Sequence, residues 1–249
     1  VTSPELLFWC GDNKYLQQLS PQGVSYGFGE HCALRAHNFE QKGWKVVFDV
    51  MFDDKKYFNI EVPLIGEHNA LNALAVFGLA LRCQIPEETI RDAFLRFKGV
   101  HRRCEHKGEV NNILVMDDYA HHPTEISSTL HALRTALSNK RLIVLFQPHR
   151  YSRLKDCIGS FAGIFDQADE VIVTEVYSAG EEALKGISHE IILEENAETS
   201  AVLFKHVPFE QLVDTLVPHL RPDDVVITLG AGTITTIGSE LLTRLRQQR

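Results

Sequence analysis

From about residue 108 the chain repeats one rhythm, a short apolar run followed by a helical pattern. Strand-like runs stand at 112–117, 141–147, 170–176, 201–207 and 225–230. Between the first two, Ile126, Leu130, Leu133 and Leu137 recur at spacings of four, three and four, the stripe of an amphipathic helix. Such alternation predicts an α/β fold built on a parallel, doubly wound sheet.

This layout restricts where chemistry can sit. Strand 112–117, helix 124–138 and strand 141–147 make one βαβ crossover, so the two strands run parallel and end at the same edge. Ligands bind at the carboxyl ends of strands in open α/β sheets. The loops at those ends are Asp117-Asp-Tyr-Ala-His-His-Pro-Thr-Glu125 and Phe146-Gln-Pro-His-Arg-Tyr-Ser-Arg153, the two richest in ionisable groups. Topology alone brings them together.

Upstream, residues 44–64 read as a β-hairpin. Trp44, Val46, Phe48, Val50 and Phe52 alternate with polar neighbours, Phe58, Ile60, Val62 and Leu64 do so on the return, and Asp53–Lys56 makes the turn. A helix opens at Gly66 and runs to about Cys83, with Leu71, Leu74, Ala75 and Leu79 on one face. A second begins at Pro86, with two glutamates in its first turn as the helix dipole favours, and ends near Gly99. A boundary is placed in the charged stretch Arg102–Gly108, giving domains 1–107 and 108–249. The chain opens on Val1 and a strand-like Leu6–Trp9 without an initiator methionine, as a processed protein or a piece of a longer one would.

The bulk properties bound the partners. No apolar run approaches the roughly 18 residues of a membrane span, and no secretory leader is visible. A net charge of −8 speaks against a nucleic-acid partner. Five cysteines without a C-x-x-C pair fit reduced thiols in a cytoplasm better than disulfides or zinc, and no metal site is expected.

Each constellation has more than one reading. Asp117, Asp118, His121, His122 and Glu125 offer metal ligands, acid/base groups or a nucleotide contact, or simply a polar turn with Pro123 at the first helical position. His149, Arg150 and Arg153 suit a phosphate or carboxylate, or a solvated helix start. His68, Asn69 and Asn72 open a helix, and their amides can read an adenine edge or serve as caps. Gly230-Ala-Gly232 is a phosphate-cradling turn or merely a tight one, and Arg102 and Arg103 meet phosphate or solvent. There is no G-x-x-x-x-G-K-[ST] phosphate loop anywhere.

Taken together, six segments resemble the Mur ligases, the ATP-dependent amide-forming enzymes of peptidoglycan synthesis. They are GEHNALNALA (66–75), GVHRRC (99–104), DDYAHHPTE (117–125), FQPHRYSR (146–153), VYSAGE (176–181) and LGAGTI (229–234). The two departures from the family, in the second and third of these segments, are small: Cys104 for an aromatic and Ala120 for a glycine. The resemblance implies the later part of a central α/β ATPase domain plus a Rossmann-like C-terminal domain for an amino acid. It implies transfer of the ATP γ-phosphoryl to the lactyl carboxylate of UDP-N-acetylmuramate, then attack by L-alanine on the acyl phosphate. Asn69 and Asn72 would contact adenine, and Arg103 and Asp118 the phosphates and ribose. Tyr119, His121, His149, Arg150 and Arg153 would line the pocket for L-alanine and the acyl phosphate. The phosphate loop, the residues holding Mg2+ and the UDP-sugar domain would lie on the missing N-terminal part of the same protein, leaving this piece inactive alone. A metal-dependent hydrolase using the Asp117–Glu125 loop and a non-catalytic binding domain are the competing readings.

Overall fold

The computed structural model describes residues 3–137, 139–197 and 200–247; Val1, Thr2 and Ser138, the last residue of the expected first crossover helix, lie outside them. The chain forms two compact units, Val1–Gly99 and Val100–Arg249.

The first unit contains β1 (Phe8–Cys10), α1 (Lys14–Leu19), β2 (Val24–Gly27), β3 (Leu34–Lys42), β4 (Lys45–Phe52), β5 (Lys55–Val62), α2 (Glu67–Arg82) and α3 (Glu87–Arg96). Its five strands lie in sequence order, β1 to β3 parallel and β3 to β5 antiparallel. The hairpin is therefore β4–β5, and its turn is only Asp53-Asp54, both at positive φ, which suits the twist of a two-residue hairpin. Strand β5 departs from simple alternation. A register shift between Phe48 and Val50, opposite Asn59 at φ 54°, leaves Phe58 57% exposed and turns Tyr57 toward Phe77, ring centroids 5.2 Å apart. The core face of α2 also differs from the expected one: Ala70, Ala73, Leu74, Phe77 and Gly78 are buried, whereas Leu79 is exposed.

The second unit contains β6 (Glu105–Val110), β7 (Ile113–Asp118), α4 (Pro123–Leu137), β8 (Leu142–Phe146), α5 (Tyr151–Asp156), β9 (Glu170–Val173), α6 (Glu190–Ala197), β10 (Leu203–His206), α7 (Leu212–Leu216), β11 (Val225–Leu229) and α8 (Thr235–Gln247). Its sheet has the order β10-β9-β8-β11-β7-β6, with every pairing parallel except β6 with β7. β11 thus lies between the two strands of the first crossover. The charged stretch in which the boundary is placed supplies the start of β6, whose residues pair with the edge of β7 and bury little but Val110. Helices α7 and α8 pack on one face through Val115, Ile143, Leu145, Val226, Leu212, Leu241 and Leu245. Helix α4 buries Ile126, Leu130, Leu133 and Leu137 apart from that cluster, and Phe146 meets Phe161 and Phe165, so both faces are covered as in a doubly wound fold.

Candidate functional site

Strand β7 is buried along its whole length, and its last two residues carry the carboxylates. Successive strand residues point to opposite faces, so Asp117 and Asp118 serve different partners instead of repelling one another. Asp117 is fully buried and accepts from the hydroxyls of Thr228 and Thr235 and from Nε of Arg102, the last at 3.2 Å. Arg102, at φ 58°, also donates through Nη2 to the carbonyls of Gly230 and Gly232. Asp118 accepts from the N–H of Cys104 at 2.7 Å and of Ala120 at 2.6 Å. Burial pushes its carboxyl above the ordinary value although those N–H groups work the other way, and burial next to Asp118 raises the Cys104 thiol. The two aspartates are therefore clamps, one on the 230–235 turn and one on the 100–104 loop.

The end of the same motif caps a helix. Glu125 Oε2 accepts from the N–H of His121 and His122 at 3.2 and 3.3 Å, and His122 Nδ1 accepts from the N–H of Thr124 at 3.3 Å. This reciprocal arrangement satisfies N–H groups that the first turn of α4 leaves unpaired. Burial opposes the charge of Glu125, but the two N–H donors outweigh it and hold its carboxyl below the usual range. His122 and Glu125 thus play the structural part of the two foreseen.

What remains at the sheet edge is a row of rings and guanidinium groups. Tyr119 lies under Arg102 and Arg103, 4.9 and 5.5 Å from guanidinium carbon to ring centroid, and edge-on to His121 at 5.3 Å. His121 is 5.8 Å from His149, which stacks on Tyr177 at 5.5 Å. The bonds fix the tautomers. His121 Nδ1 lies 2.9 Å from the Tyr119 carbonyl, which can only accept, so that nitrogen carries the proton and Nε2 keeps a lone pair. His149 Nδ1 lies 3.0 Å from Nη1 of Arg153, which can only donate, so here Nε2 carries the proton. Burial first, then the charge of Arg153, lowers the His149 pKa and keeps the ring neutral. The edge thus offers one imidazole acceptor and one imidazole donor beside two cations.

Arg150 and Arg153 are positioned by different devices. Arg150 adopts φ 69°, donates its N–H to the Tyr177 carbonyl at 2.8 Å, and pairs through Nε with Glu181 at 2.7 Å. Glu181 also accepts from the hydroxyl and N–H of Ser152, and these bonds, aided by Arg150, hold its carboxyl down to about 2. Gln147 is buried and ties the next turn: its Oε1 accepts from the N–H of Ile234 at 3.0 Å. That turn needs its glycines, because a Cβ on Gly232 would stand 2.6 Å from Gln147 Oε1 and 2.7 Å from the Tyr177 ring. Its carbonyls face Arg102, so the G-x-G segment is a tight turn and not a cradle of free N–H groups.

In the second unit, Tyr119, His121, His149, Arg150 and Arg153 are brought together at one edge. Asp118 lies beneath it, and Arg103 reaches outward with a loose 3.8 Å pair to Glu125. In the first unit Asn69 donates to the Ile65 carbonyl at 2.8 Å and approaches His68 Nε2 at 3.1 Å, while Asn72 is exposed on the same helix start. Gln147, Tyr177 and Glu181 are missed by sequence reasoning. The first lies inside the FQPHRYSR segment and the others inside VYSAGE, so their neighbours were the available signal. The geometry does not favour the metal-dependent hydrolase reading: the acids of the loop diverge onto Arg102, threonine hydroxyls and backbone N–H groups instead of converging on one point. The one group of three convergent ligand atoms among the described residues lies elsewhere.

Comparison with known proteins identifies the family. The family model described as "Mur ligase, glutamate ligase domain" matches residues 102–232, and "Mur ligase middle domain" matches 5–80. The chain belongs to the Mur ligase family. A UDP-N-acetylmuramate--L-alanine ligase of Protochlamydia amoebophila is 52% identical over 245 residues, 98% of this chain and 54% of that protein. A bifunctional enzyme MurC/Ddl of Chlamydia caviae is 46% identical over 97% of this chain and 30% of its own length. The crystal structure of the UDP-N-acetylmuramate-alanine ligase MurC from Thermotoga maritima matches with a TM-score of 0.79 at 25% identity, covering 97% of this chain and 52% of that one. This Mur ligase chain therefore spans about half the length of the monofunctional relatives it matches. Among the described residues no helix is long and apolar enough to cross a membrane.

Proposed function

We propose that this chain is the amino-acid-binding and nucleotide-closing part of a cytoplasmic UDP-N-acetylmuramate–L-alanine ligase. In the reaction, the lactyl carboxylate of UDP-N-acetylmuramate takes the γ-phosphoryl of ATP, giving an acyl phosphate and ADP. The L-alanine amine, having lost a proton, attacks the acyl carbon, and inorganic phosphate leaves with the bond pair as the amide forms. The observation that carries the reading is the pair of opposite tautomers on His121 and His149, set beside Arg150 and Arg153. An amino acid presents an anion and a cation a few ångströms apart. Arg150, Arg153 and the Nε2–H of His149 suit its carboxylate, and the Nε2 lone pair of His121 suits its ammonium group.

Arg103 and Tyr119 are placed in this reading next to the developing phosphate charge, where a fixed cation is worth most. Asp118 meets ribose through the lone pairs its N–H partners leave unused. Asn69 and Asn72 serve adenine. Mg2+ would be held mainly by residues of the parent protein outside these 249 and would supply neutralisation of the ATP phosphate charge. The domain roles follow: 1–107 for the later part of the ATP-binding domain, 108–249 for the amino-acid domain. A phosphate-release assay with ATP, Mg2+, UDP-N-acetylmuramate and L-alanine tests the reading. Turnover is expected from the full-length parent and only background from the 249-residue chain, which contains no phosphate loop. Turnover by the chain alone, or none by the parent, overturns it.

A further inference from the structure

We propose that the first unit carries a transition-metal site of the zinc class, built from Asp12, His31 and Cys32 and unconnected with the ligase chemistry. One ligand atom from each lies within 4.8 Å of the other two, and Asp12 Oδ1 is 3.9 Å from Cys32 Sγ. Metal–ligand lengths near 2.0–2.3 Å in a tetrahedral zinc site put the ligands about 3.5 Å apart. The three donors therefore need to close by only about an ångström to meet one ion.

The donors are held in place by groups that leave their free lone pairs available. Asp12, in the turn after β1, accepts from the N–H of Phe28 at 2.7 Å and of Gly29 at 3.0 Å, in the loop after β2. A carboxylate has lone pairs beyond those two bonds. His31 Nε2 lies 2.9 Å from the Gly11 carbonyl and 3.3 Å from the Gln17 amide nitrogen, so Nε2 is the engaged nitrogen and Nδ1 is the one that borders the site. A carbonyl on the far nitrogen of a ligating imidazole is the usual outer support of a metal site. Nδ1 and Asp12 Oδ1 border the same space: a Cβ on Gly29 would stand 2.7 Å from the former and 3.0 Å from the latter. The missing side chain of Gly29 leaves that space open.

The donor set selects the ion. An imidazole and a thiolate suit zinc and similar borderline metals, whereas Mg2+ and Ca2+ ask for oxygen throughout. On binding, the Cys32 thiol releases one proton to solvent, and its thiolate with the Asp12 carboxylate balances the two charges of the ion. Cys32 is only 7% exposed while Asp12 and His31 are exposed, which gives an entry path and leaves the fourth position to water. The bound ion would staple the β1–α1 turn to the β2–β3 loop.

The test uses the whole 249-residue chain, stripped of metal with a chelator and titrated with Zn2+ against a chromophoric competitor. One equivalent should bind. Co2+ in its place should give a near-ultraviolet sulfur-to-cobalt charge-transfer band. Cys32→Ser should abolish the band and weaken zinc binding by at least about 10-fold, since loss of even an outer support costs that much. Cys10, Cys83, Cys104 and Cys157 remain in the variant as internal controls. Circular dichroism reports whether each variant folds; if Cys32→Ser does not, His31→Asn at an exposed residue carries the same comparison. Substoichiometric zinc, or binding and a charge-transfer band that survive both substitutions, overturns the site.

Discussion

Replacing Arg102 with leucine should destabilise the second unit more than any other single change in the charged stretch before β6. Its guanidinium donates to Asp117, which is fully buried, and to the carbonyls of Gly230 and Gly232. Breaking a buried ion pair from one side costs about 3–5 kcal/mol because the other charge is left uncompensated. Thr228 and Thr235 still donate to Asp117 in the variant, which argues for the low end, about 3 kcal/mol. A unit of this size loses about 2–4 °C in Tm per kcal/mol, so a drop of about 6–12 °C is expected. Urea unfolding followed by circular dichroism supplies the free energy, and thermal melting the second estimate. Arg103→Leu is the control: that side chain is half exposed, and its loss should stay within about 0.5 kcal/mol. Adding Asp117→Asn to Arg102→Leu should recover part of the loss, because the stranded charge is gone. A cost below about 1 kcal/mol for Arg102→Leu, the value of an exposed pair, would refute the clamp.

Two further outcomes follow from the same edge. His149 should titrate below its ordinary value, with an NMR-detected midpoint that rises in Arg153→Met as the adjacent cation is removed. Because its folded pKa is depressed, the stability it contributes is fully present above the ordinary value of about pH 6.5 and is lost as pH falls from there through the lower folded pKa; a midpoint unmoved by Arg153→Met would contradict the tautomer assignment. Gly232→Ala should cost about 1–3 kcal/mol by overpacking, since its Cβ meets both Gln147 and Tyr177 at under 3 Å, and should weaken L-alanine binding in the parent through the displaced Tyr177–His149 stack. Wild-type melting of that variant would show the turn to be more compliant than its contacts imply.

The alternation of strands and helices was legible because parallel strands buried on both faces are apolar runs, and α4 shows its stripe at Ile126, Leu130, Leu133 and Leu137. The convergence of the 117–125 and 146–153 loops followed from the shared direction of the two strands of a single crossover. Pairing could not be read in the same way. β6 has the charge of a linker, and only the free edge of β7 makes it a strand. Phe58 and Tyr57 exchange places because of a bulge fixed across the hairpin by β4. At the site, residue type pointed to chemistry without saying which groups were already spent. Asp117, Asp118, His122, Glu125 and Arg102 look as reactive in sequence as His121 or Arg153, yet each is engaged, Asp117, Asp118 and Arg102 with distant segments and His122 and Glu125 within their own turn. Asp12, His31 and Cys32 show the reverse case, with no metal-binding spacing in sequence and convergence only through two loops.

The most direct measurement is steady-state kinetics of Arg153→Ala in the full-length parent, with L-alanine, ATP and UDP-N-acetylmuramate varied in turn. A guanidinium that holds both His149 and the amino-acid carboxylate should, when removed, lower kcat/KM for L-alanine by about 10²-fold or more. The KM values for ATP and UDP-N-acetylmuramate should change little. An unaltered L-alanine dependence, or a defect confined to ATP, would contradict the assignment of this edge to the amino acid.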